Sequence, residues 1–269
     1  MYRKPYRIKK KKSIFRTRFF WLFVLTLIFL GGIFYLIFLS PFFQIREIKI
    51  SGAASFNEKV SNEEIQAIIE KKINQRILFF PIKNIFLANL NQMQEEILKE
   101  FPQIAQVNLK RKFFHVLEIK IEERKPIAIF YFEEVYFFID KEGVIFEEIS
   151  KNEFTFFKIK NLILKEKPKL GESVIEKESV SKILKIASES ENLKVSPKEF
   201  VIVSDDKIDV KTQEDWEIYF DPQKDLDWQF AKLKVDLENV IPPEKRKDLE
   251  YIDLRFGDFA PFKYRAGAR

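Results

Sequence analysis

The sequence predicts an α+β protein: a single transmembrane helix, a small domain in the order β-α-α-β-β, and a C-terminal mixed β domain with flanking helices. Three observations carry this prediction. Residues 19–39 are apolar and uncharged, residues 43–125 show first strand and then helix periodicity, and residues 126–265 contain short strands interrupted by two helical patterns. Residues 1–18 form a basic tail, and residues 266–269 form a second, short tail.

The apolar run at residues 19–39 predicts a membrane-spanning helix. At about 1.5 Å per residue it would cover roughly 30 Å, the thickness of the hydrocarbon core of a bilayer. A cleaved signal peptide is the main alternative, but such peptides have a shorter apolar core that ends in small residues. Here the run ends in Phe38-Leu39-Ser40-Pro41. A core helix of a soluble domain would show a polar stripe, which this run lacks. We therefore expect an uncleaved anchor.

The charge distribution predicts how that anchor is oriented. Residues 1–40 carry nine basic side chains and no acidic one, whereas the rest of the chain carries 38 basic and 41 acidic side chains, a net charge of −3. Positive charge beside a membrane helix stays in the cytoplasm, so we expect the remaining chain to be extracytoplasmic. A mildly acidic folded part argues against a nucleic-acid partner, which needs a basic face. The absence of cysteine is compatible with an exported domain.

The small domain is predicted from periodicity between residues 43 and 125. A Ser-x-x-Glu capping box at residues 61–64 opens a helix with isoleucines at one face, and Pro102 ends a second helix. The strands and helices together form a small sheet covered on one face by two helices. The predicted elements are a strand at 45–50, helices at 61–73 and 90–99, and strands at 104–110 and 116–122 joined by a turn at 111–115.

The second domain is predicted from short alternating segments. An Asp-x-x-Gly turn between two apolar runs indicates a β-hairpin at its start. The predicted elements are this hairpin at 136–146, a helix at 174–190, strands at 200–203, 208–212 and 216–220, a helix at 226–239, a strand at 251–256 and a last segment at 259–264.

Catalytic, cofactor-binding and metal-binding motifs are missing from the sequence. His115 is the only histidine, there is no cysteine, and no glycine-rich nucleotide loop occurs. Adjacent acidic residues on strands face opposite sides of the sheet and so do not form a catalytic pair. We therefore predict no catalytic residues, no cofactor and no metal site. A membrane-anchored enzyme without a recognised motif is retained as an alternative.

Several segments resemble the FtsQ/DivIB family of bacterial division proteins. The β-α-α-β-β order directly after a membrane helix resembles a POTRA domain, and the sequence E-E-R-K-P-I-A at residues 122–128 is similar to the segment that follows the family's POTRA domain. The hairpin at 136–146 and the segments at 216–222 and 251–256 extend the resemblance over nearly the whole chain. One departure is the turn at 113–115, Phe-Phe-His, which lacks the proline often found there.

The resemblance implies a scaffold for cell division rather than an enzyme. FtsQ-like proteins pair their final strand with FtsB, which is itself coiled to FtsL, and the positions here that match this site are Phe256 and Tyr264. Arg255 and Phe259 are predicted to bind the partner as well. Phe256 and Tyr264 would point from the last strand toward the partner. Pro261 favours an edge strand, because proline lacks a ladder donor, and it would remove one possible bond to the partner. In a chain with 30 phenylalanines, however, these aromatic residues could also be ordinary core or surface side chains.

The resemblance also implies a location and further partners. The protein would lie in the cell membrane at the division septum, with its N-terminus in the cytoplasm. The POTRA domain would bind other septal membrane proteins, with the strand at 45–50 and the first helix as candidate surfaces. The alternative is a membrane-anchored POTRA protein of a secretion or assembly pathway that binds client polypeptides. The β domain favours the first interpretation, because generic POTRA proteins lack it.

Overall fold

The computed structural model describes residues 18–52, 62–74, 76–77, 80–81, 83–112, 115–150 and 156–267. Contacts between residues divide the chain into two units. The first unit comprises residues 1–53, 61–97 and 107–121, and the second comprises residues 54–60, 98–106 and 122–269. Most of the basic tail, Ser61 of the predicted capping box and the turn residues Phe113 and Phe114 lie outside the described residues.

The apolar run forms a helix that continues almost without interruption into the first domain. Helix α1, Arg18–Phe34, is extended by a π-helical turn, Tyr35–Leu39, and a 3-10 turn, Pro41–Phe43. Ser40 joins the two turns: its N–H donates to the Tyr35 carbonyl at 3.0 Å, and its hydroxyl accepts a hydrogen bond from Phe42 N. Within the described chain, this is the one helix long and apolar enough to cross a membrane, and none of its apolar window is buried.

The first domain is a three-stranded sheet packed against two helices. Its strand order is β1-β5-β4, with β1 parallel to β5, and β2 and β3 form a small separate hairpin. The buried residues of the two helices follow helical spacing, and those of β5 alternate along the strand, as the sequence predicts. The elements are β1 (Glu47–Ser51), α2 (Asn62–Ile73), β2 (Arg76–Ile77), β3 (Phe80–Pro81), α3 (Leu90–Glu100), β4 (Ile104–Lys112) and β5 (Val116–Glu123).

The second domain is built on a nine-stranded mixed sheet in the order β14-β13-β12-β11-β10-β9-β6-β7-β8. The pairs β6–β9, β9–β10 and β12–β13 are parallel, and the other neighbours are antiparallel. The elements are β6 (Ala128–Phe132), β7 (Val135–Ile139), β8 (Ile145–Ile149), β9 (Lys158–Asn161), α4 (Lys177–Asn192), β10 (Pro197–Ser204), β11 (Lys207–Thr212), β12 (Glu217–Phe220), α5 (Leu226–Val235), a π-helical turn (Asp236–Val240), a 3-10 turn (Pro243–Asp248), β13 (Leu249–Asp253) and β14 (Phe262–Tyr264).

The main core of this domain lies between the sheet and helices α4 and α5. Ile183 and Leu233 are fully buried there against Phe130, Phe200 and Trp216. A smaller apolar cluster occupies the opposite face of β6 to β8 and consists of Ile129, Phe138, Phe146 and Ile149. This end of the sheet therefore buries side chains on both faces, whereas β11 and β12 alternate between buried residues and half-buried polar residues or tyrosine.

The hairpin between β7 and β8 is fixed by its turn residues. The Asp140 carboxylate accepts hydrogen bonds from the backbone N–H groups of Glu142 and Val144, each at 3.0 Å. Gly143 has a φ of +80°, and a Cβ atom added there would lie 1.8 Å from the Ile175 carbonyl oxygen. Only glycine fits such a position, because it tolerates positive φ and leaves room for the neighbouring backbone.

A buried ion pair connects two of the segments that carry the family resemblance. Arg124, from residues 122–128, places Nη1 2.5 Å from Asp140 Oδ2, in the hairpin at 136–146. Both side chains are largely buried. Since an unpaired charge in such a place is costly, the pair fixes the position of one segment relative to the other.

Candidate partner-binding surface

Strand β14 ends the nine-stranded sheet within the described part of the chain. It pairs with β13 alone, in the antiparallel register that sets Phe262 opposite Ile252. The Pro261 carbonyl accepts a hydrogen bond from Asp253 N at 2.8 Å, and Arg265 N donates to the Asp248 carbonyl at 2.9 Å. Since backbone groups alternate in direction along an antiparallel strand, residues 261, 263 and 265 bond toward β13. The backbone N–H and C=O groups of Phe262 and Tyr264 therefore face outward.

The position of Pro261 contradicts the expectation that this proline removes a bond to a partner strand. Its carbonyl bonds to β13, and the N–H that proline lacks would lie on the same side of the strand. Proline at this position thus removes a possible bond to β13 and leaves the outward edge of β14 unaffected. The prediction that it interrupts pairing with a partner is wrong.

The predicted strand at 251–256 is also shorter than expected. Strand β13 ends at Asp253, and Leu254 N makes a last hydrogen bond, to the Tyr219 carbonyl at 2.9 Å. The chain then leaves the sheet and returns at Phe262. Phe256 consequently lies in the loop at residues 254–261, so the expectation that it points from the last strand is wrong.

Three side chains near helix α5 hold the loop at 254–261. The Lys232 ammonium donates hydrogen bonds to the carbonyls of Leu254, at 2.6 Å, Phe256, and Gly257, at 3.2 Å. The Trp228 indole N–H donates to the Gly257 carbonyl at 3.1 Å. In addition, Lys224 Nζ donates to the Arg255 carbonyl at 3.0 Å. The loop has no regular secondary structure, yet the carbonyl groups of residues 254–257 are paired with donors from α5 and the preceding turn.

Lys232 differs from Trp228 and Lys224 because it is buried. It is a buried lysine, with 7% of its surface exposed, and its burial lowers the pKa of the ammonium group below the usual value for lysine. An isolated buried charge is unfavourable, and carbonyl dipoles are the partners that an ammonium group requires in such a place. The side chain therefore couples the shape of the loop to the position of α5.

The loop displays two stacked phenylalanines to solvent. The rings of Phe256 and Phe259 are 5.8 Å apart and 10° from parallel, and the two residues are 48% and 64% exposed. Beside them, Trp228 and Val235 of α5 are also exposed. Phe259 and these α5 residues line a groove of about 180 Å³. A cluster of exposed apolar residues is typical of an interaction site.

Arg255 and Tyr264 have structural contacts of their own. Arg255 forms a bidentate ion pair with Asp253, with nitrogen–oxygen distances of 2.7 and 2.9 Å. Burial of Asp253 opposes its ionisation, but the hydrogen bonds from Arg255 hold the pKa of this carboxyl below its usual value. Tyr264 is half-buried, packs against the main core and contacts the Phe262 ring edge-to-face. The structure thus brings the four predicted residues to one end of the sheet but leaves Phe256 and Phe259 the most exposed of them.

Sequence reasoning missed Lys232 and Trp228. Their separation of four residues places both on one face of α5. A sequence signal could have identified Lys232 and Trp228: they lie four residues apart on a helix whose other residues Phe230 and Leu233 pack inward.

Comparisons with known proteins identify the class of this protein. Residues 43–124 match the family model of the FtsQ-type POTRA domain. The cell division protein DivIB of Clostridium acetobutylicum is 33% identical over 114 residues, which are 42% of this chain and 39% of the relative. The cell division protein FtsQ of Syntrophotalea carbinolica is 28% identical over 118 residues, which are 44% of this chain and 37% of the relative.

An apolar helix followed by this domain defines a single-pass, POTRA-containing protein. The comparisons are more specific than that class: residues 43–124 match an FtsQ-type POTRA domain, and the chain is similar to the cell division proteins DivIB and FtsQ. The matches cover about two fifths of the length of the two relatives.

Proposed function

We propose that this protein is a membrane-anchored scaffold of the bacterial division machinery, and that it binds another division protein by strand addition to β14. The observation that carries the proposal is the outward edge of β14 beside the exposed Phe256–Phe259 pair. A sheet edge with unpaired backbone groups accepts a strand from a partner, and neighbouring pockets then select the side chains of that strand. The relatives named as cell division proteins support the cellular role.

The backbone groups of β14 and the aromatic side chains beside it determine how a partner strand would be bound. Phe262 and Tyr264 offer two N–H and two C=O groups, so a partner strand would gain at most a short ladder of main-chain hydrogen bonds. A ladder of this length gives limited affinity, because each hydrogen bond contributes only about 1 kcal/mol net. The larger contribution would come from Phe256, Phe259 and the groove beside Trp228, where buried aromatic anchors contribute about 1–3 kcal/mol each.

The partners proposed for this surface are FtsB/FtsL-type division proteins. A segment of such a protein would lie in the extracytoplasmic space, as would both folded units of this chain if its N-terminus is cytoplasmic. Anchoring of both partners in one membrane would raise their effective concentration. The POTRA domain would add a second contact with other septal membrane proteins through β1, which is an edge strand with alternating exposed residues.

The binding proposal can be tested with purified components. The full chain is reconstituted into nanodiscs, and its affinity for the extracytoplasmic segments of the FtsB and FtsL homologues of the same organism is measured. We expect the double substitution Phe256→Ala/Phe259→Ala to weaken binding by at least about 30-fold, because two buried aromatic anchors together contribute at least about 2 kcal/mol. The matched control is Leu162→Ala/Ile163→Ala, a pair of exposed apolar residues elsewhere in the same unit. Equal affinities of both variants and the unchanged chain would contradict the proposal.

The cellular role has a separate test. A fluorescent protein fused to Met1 is followed in growing cells at native expression. A band at midcell that forms before constriction is the expected result. A uniform membrane signal from a functional fusion would contradict the division role and favour the secretion or assembly alternative.

A further inference from the structure

The end of the POTRA domain nearest to α1 is tied to that helix by hydrogen bonds. Asn84 is buried, and its side-chain amide donates to the carbonyls of Ile37, at 2.7 Å, and Phe38, at 3.3 Å. The last carbonyls of a helix lack partners within the helix, and in a membrane each unpaired group costs several kcal/mol. The loop that contains Asn84 therefore lies at the level of the last turns of the membrane-spanning segment.

The connection between α1 and the POTRA core is short and paired. Residues 40–44, which include the 3-10 turn, separate the π-helical turn from Ile45, which is fully buried in the POTRA domain. Ile45 N donates to the Lys83 carbonyl and Ile85 N donates to the Phe43 carbonyl, each at 2.8 Å. A chain of five residues spans at most about 17 Å even when fully extended. If α1 spans a bilayer, this end of the domain must lie at the bilayer surface.

Exposed aromatic residues occur at this end of the domain. Phe42 and Phe86 are each 53% exposed, and the Phe43 ring lies between them, 5.2 Å from Phe42 and 5.3 Å from Phe86. Phenylalanine on the apolar face of an interfacial segment inserts about 5–10 Å into the boundary between the headgroups and the acyl chains. Phe86 is notable because it belongs to the POTRA loop and not to the anchor itself.

The same end is basic, although the chain after residue 40 is acidic overall. The segments 40–46, 83–89 and 108–116 together carry five basic and no acidic side chains. They meet in the fold: Arg46 N donates to the His115 carbonyl at 2.9 Å, and Arg111 donates to the carbonyls of Ile85 and Ala88. The acidic residues that flank these segments in the sequence, Glu47 and Glu118, form ion pairs with Lys49 and Lys112. The five basic residues of these segments are Arg46, Lys83, Lys110, Arg111 and Lys112.

We propose that this end of the POTRA domain is a lipid-binding surface that holds the domain against the leaflet at the C-terminal end of α1. Phe42 and Phe86 enter the headgroup region, while Lys83 and Lys110 neutralise the phosphates of anionic phospholipids. Arg111 acts differently, since its hydrogen bonds to two loop carbonyls support the loop that presents Phe86. Basic residues near a membrane surface each contribute about 1 kcal/mol of attraction to anionic lipid. The proposal rests on insertion of α1, which is part of the proposed function, and is independent of any division partner.

The absence of cysteine makes a direct test simple. The variants Phe86→Cys and Lys120→Cys are labelled with an environment-sensitive fluorophore in the full chain and placed in nanodiscs of phosphatidylcholine and phosphatidylglycerol, roughly 7:3. Residue 120 is exposed in the same unit, at the far end of β5 from the hairpin. With nitroxide-labelled headgroups, we expect at least about twofold stronger quenching at residue 86 than at residue 120, and weaker quenching at 86 by iodide in the water.

Charge variants test the basic component. In the Phe86→Cys chain, Lys83→Gln/Lys110→Gln should reduce quenching by the nitroxide headgroups in nanodiscs that contain phosphatidylglycerol. Lys71→Gln/Lys120→Gln removes the same charge elsewhere in the unit and should leave the quenching unchanged. Equal effects of the two pairs would overturn the role of these lysines. Equal access of iodide to labels at 86 and 120 would overturn the lipid-binding surface as a whole.

Two further outcomes distinguish a lipid-binding surface from a helix α1 that does not insert and from a surface that another protein covers. If the chain fails to co-elute with nanodiscs, α1 does not insert, and both the anchor and the lipid-binding surface are overturned. If the label at residue 86 is exposed in nanodiscs but protected in membranes of intact cells, a protein covers the surface and the lipid proposal is overturned. Neither outcome depends on the Phe256–Phe259 surface, so the binding proposal is tested separately.

Discussion

Replacement of Lys232 by methionine provides a sharp test of the structure around the candidate binding surface. Lys232→Met keeps an apolar stem of similar length and removes the ammonium group. The carbonyls of Leu254 and Phe256 then lose their donor, whereas the Gly257 carbonyl keeps the Trp228 indole. Hydrogen bonds to a charged group contribute about 1.5–3 kcal/mol each. Release of a buried ammonium group offsets part of this loss, so we expect the loop to be destabilised by about 2 kcal/mol.

Hydrogen exchange measured by mass spectrometry is a suitable assay, because it reports the stability of a segment rather than of the whole chain. A change of about 2 kcal/mol corresponds to roughly 30-fold faster exchange of amides that open locally, since 1.4 kcal/mol is a factor of ten. The peptide that covers residues 254–261 should show this change. Lys234→Met, at an exposed position of the same helix, is the matched control and should leave exchange unaltered. Unchanged exchange in Lys232→Met would refute the reasoning.

Two further expectations concern the second domain. Gly143→Ala should lower the free energy of unfolding, measured by thermal or urea unfolding, by about 2 kcal/mol or more, because a Cβ atom there collides with the Ile175 carbonyl and φ is positive. The control is Gly257→Ala, which should be close to neutral because a Cβ atom there meets nothing within 4 Å. Asp253, whose pKa is lowered in the folded protein, stabilises the loop fully above the unfolded value of about 3.9, and this contribution is lost as the pH falls through the lower folded pKa. Exchange of residues 254–261 should therefore show an acid-dependent loosening that Asp253→Asn abolishes; an identical pH profile in the variant would disprove the role of the Arg255 ion pair.

Regular elements with one buried face could be predicted from the sequence. The isoleucines of α2 and the alternation of β5 have the periods of a helix and a strand, and both elements appear where expected. Strand β6 was missed because it buries Ile129 toward one apolar cluster and Phe130 toward the other, which removes the alternation that marks a half-buried strand. Strand β9 was missed because its four residues contain a single apolar side chain, Ile159.

The candidate surface was predicted less well for a different reason. Its aromatic positions follow from the family resemblance, but the course of the chain through them depends on contacts that are distant in sequence. Lys232 reaches carbonyls 22 to 25 residues further on, and these bonds determine that Phe256 lies in a loop. Periodicity within residues 251–256 contains no information about such a contact.

All residues of the candidate surface lie within residues 224–264, from Lys224 to the end of β14. This stretch includes α5, the crossover that connects the parallel strands β12 and β13. The hydrogen bonds that hold the loop at 254–261 to α5 and the turn before it lie within this stretch, and such neighbouring contacts tend to open and close together as a cooperative unit. The surface should therefore exist as a whole or not at all, and a partner that binds it would stabilise this part of the domain selectively. The proposed partner-binding surface is thus encoded by one continuous stretch of the chain, which could be exchanged between relatives in chimaeras that test it.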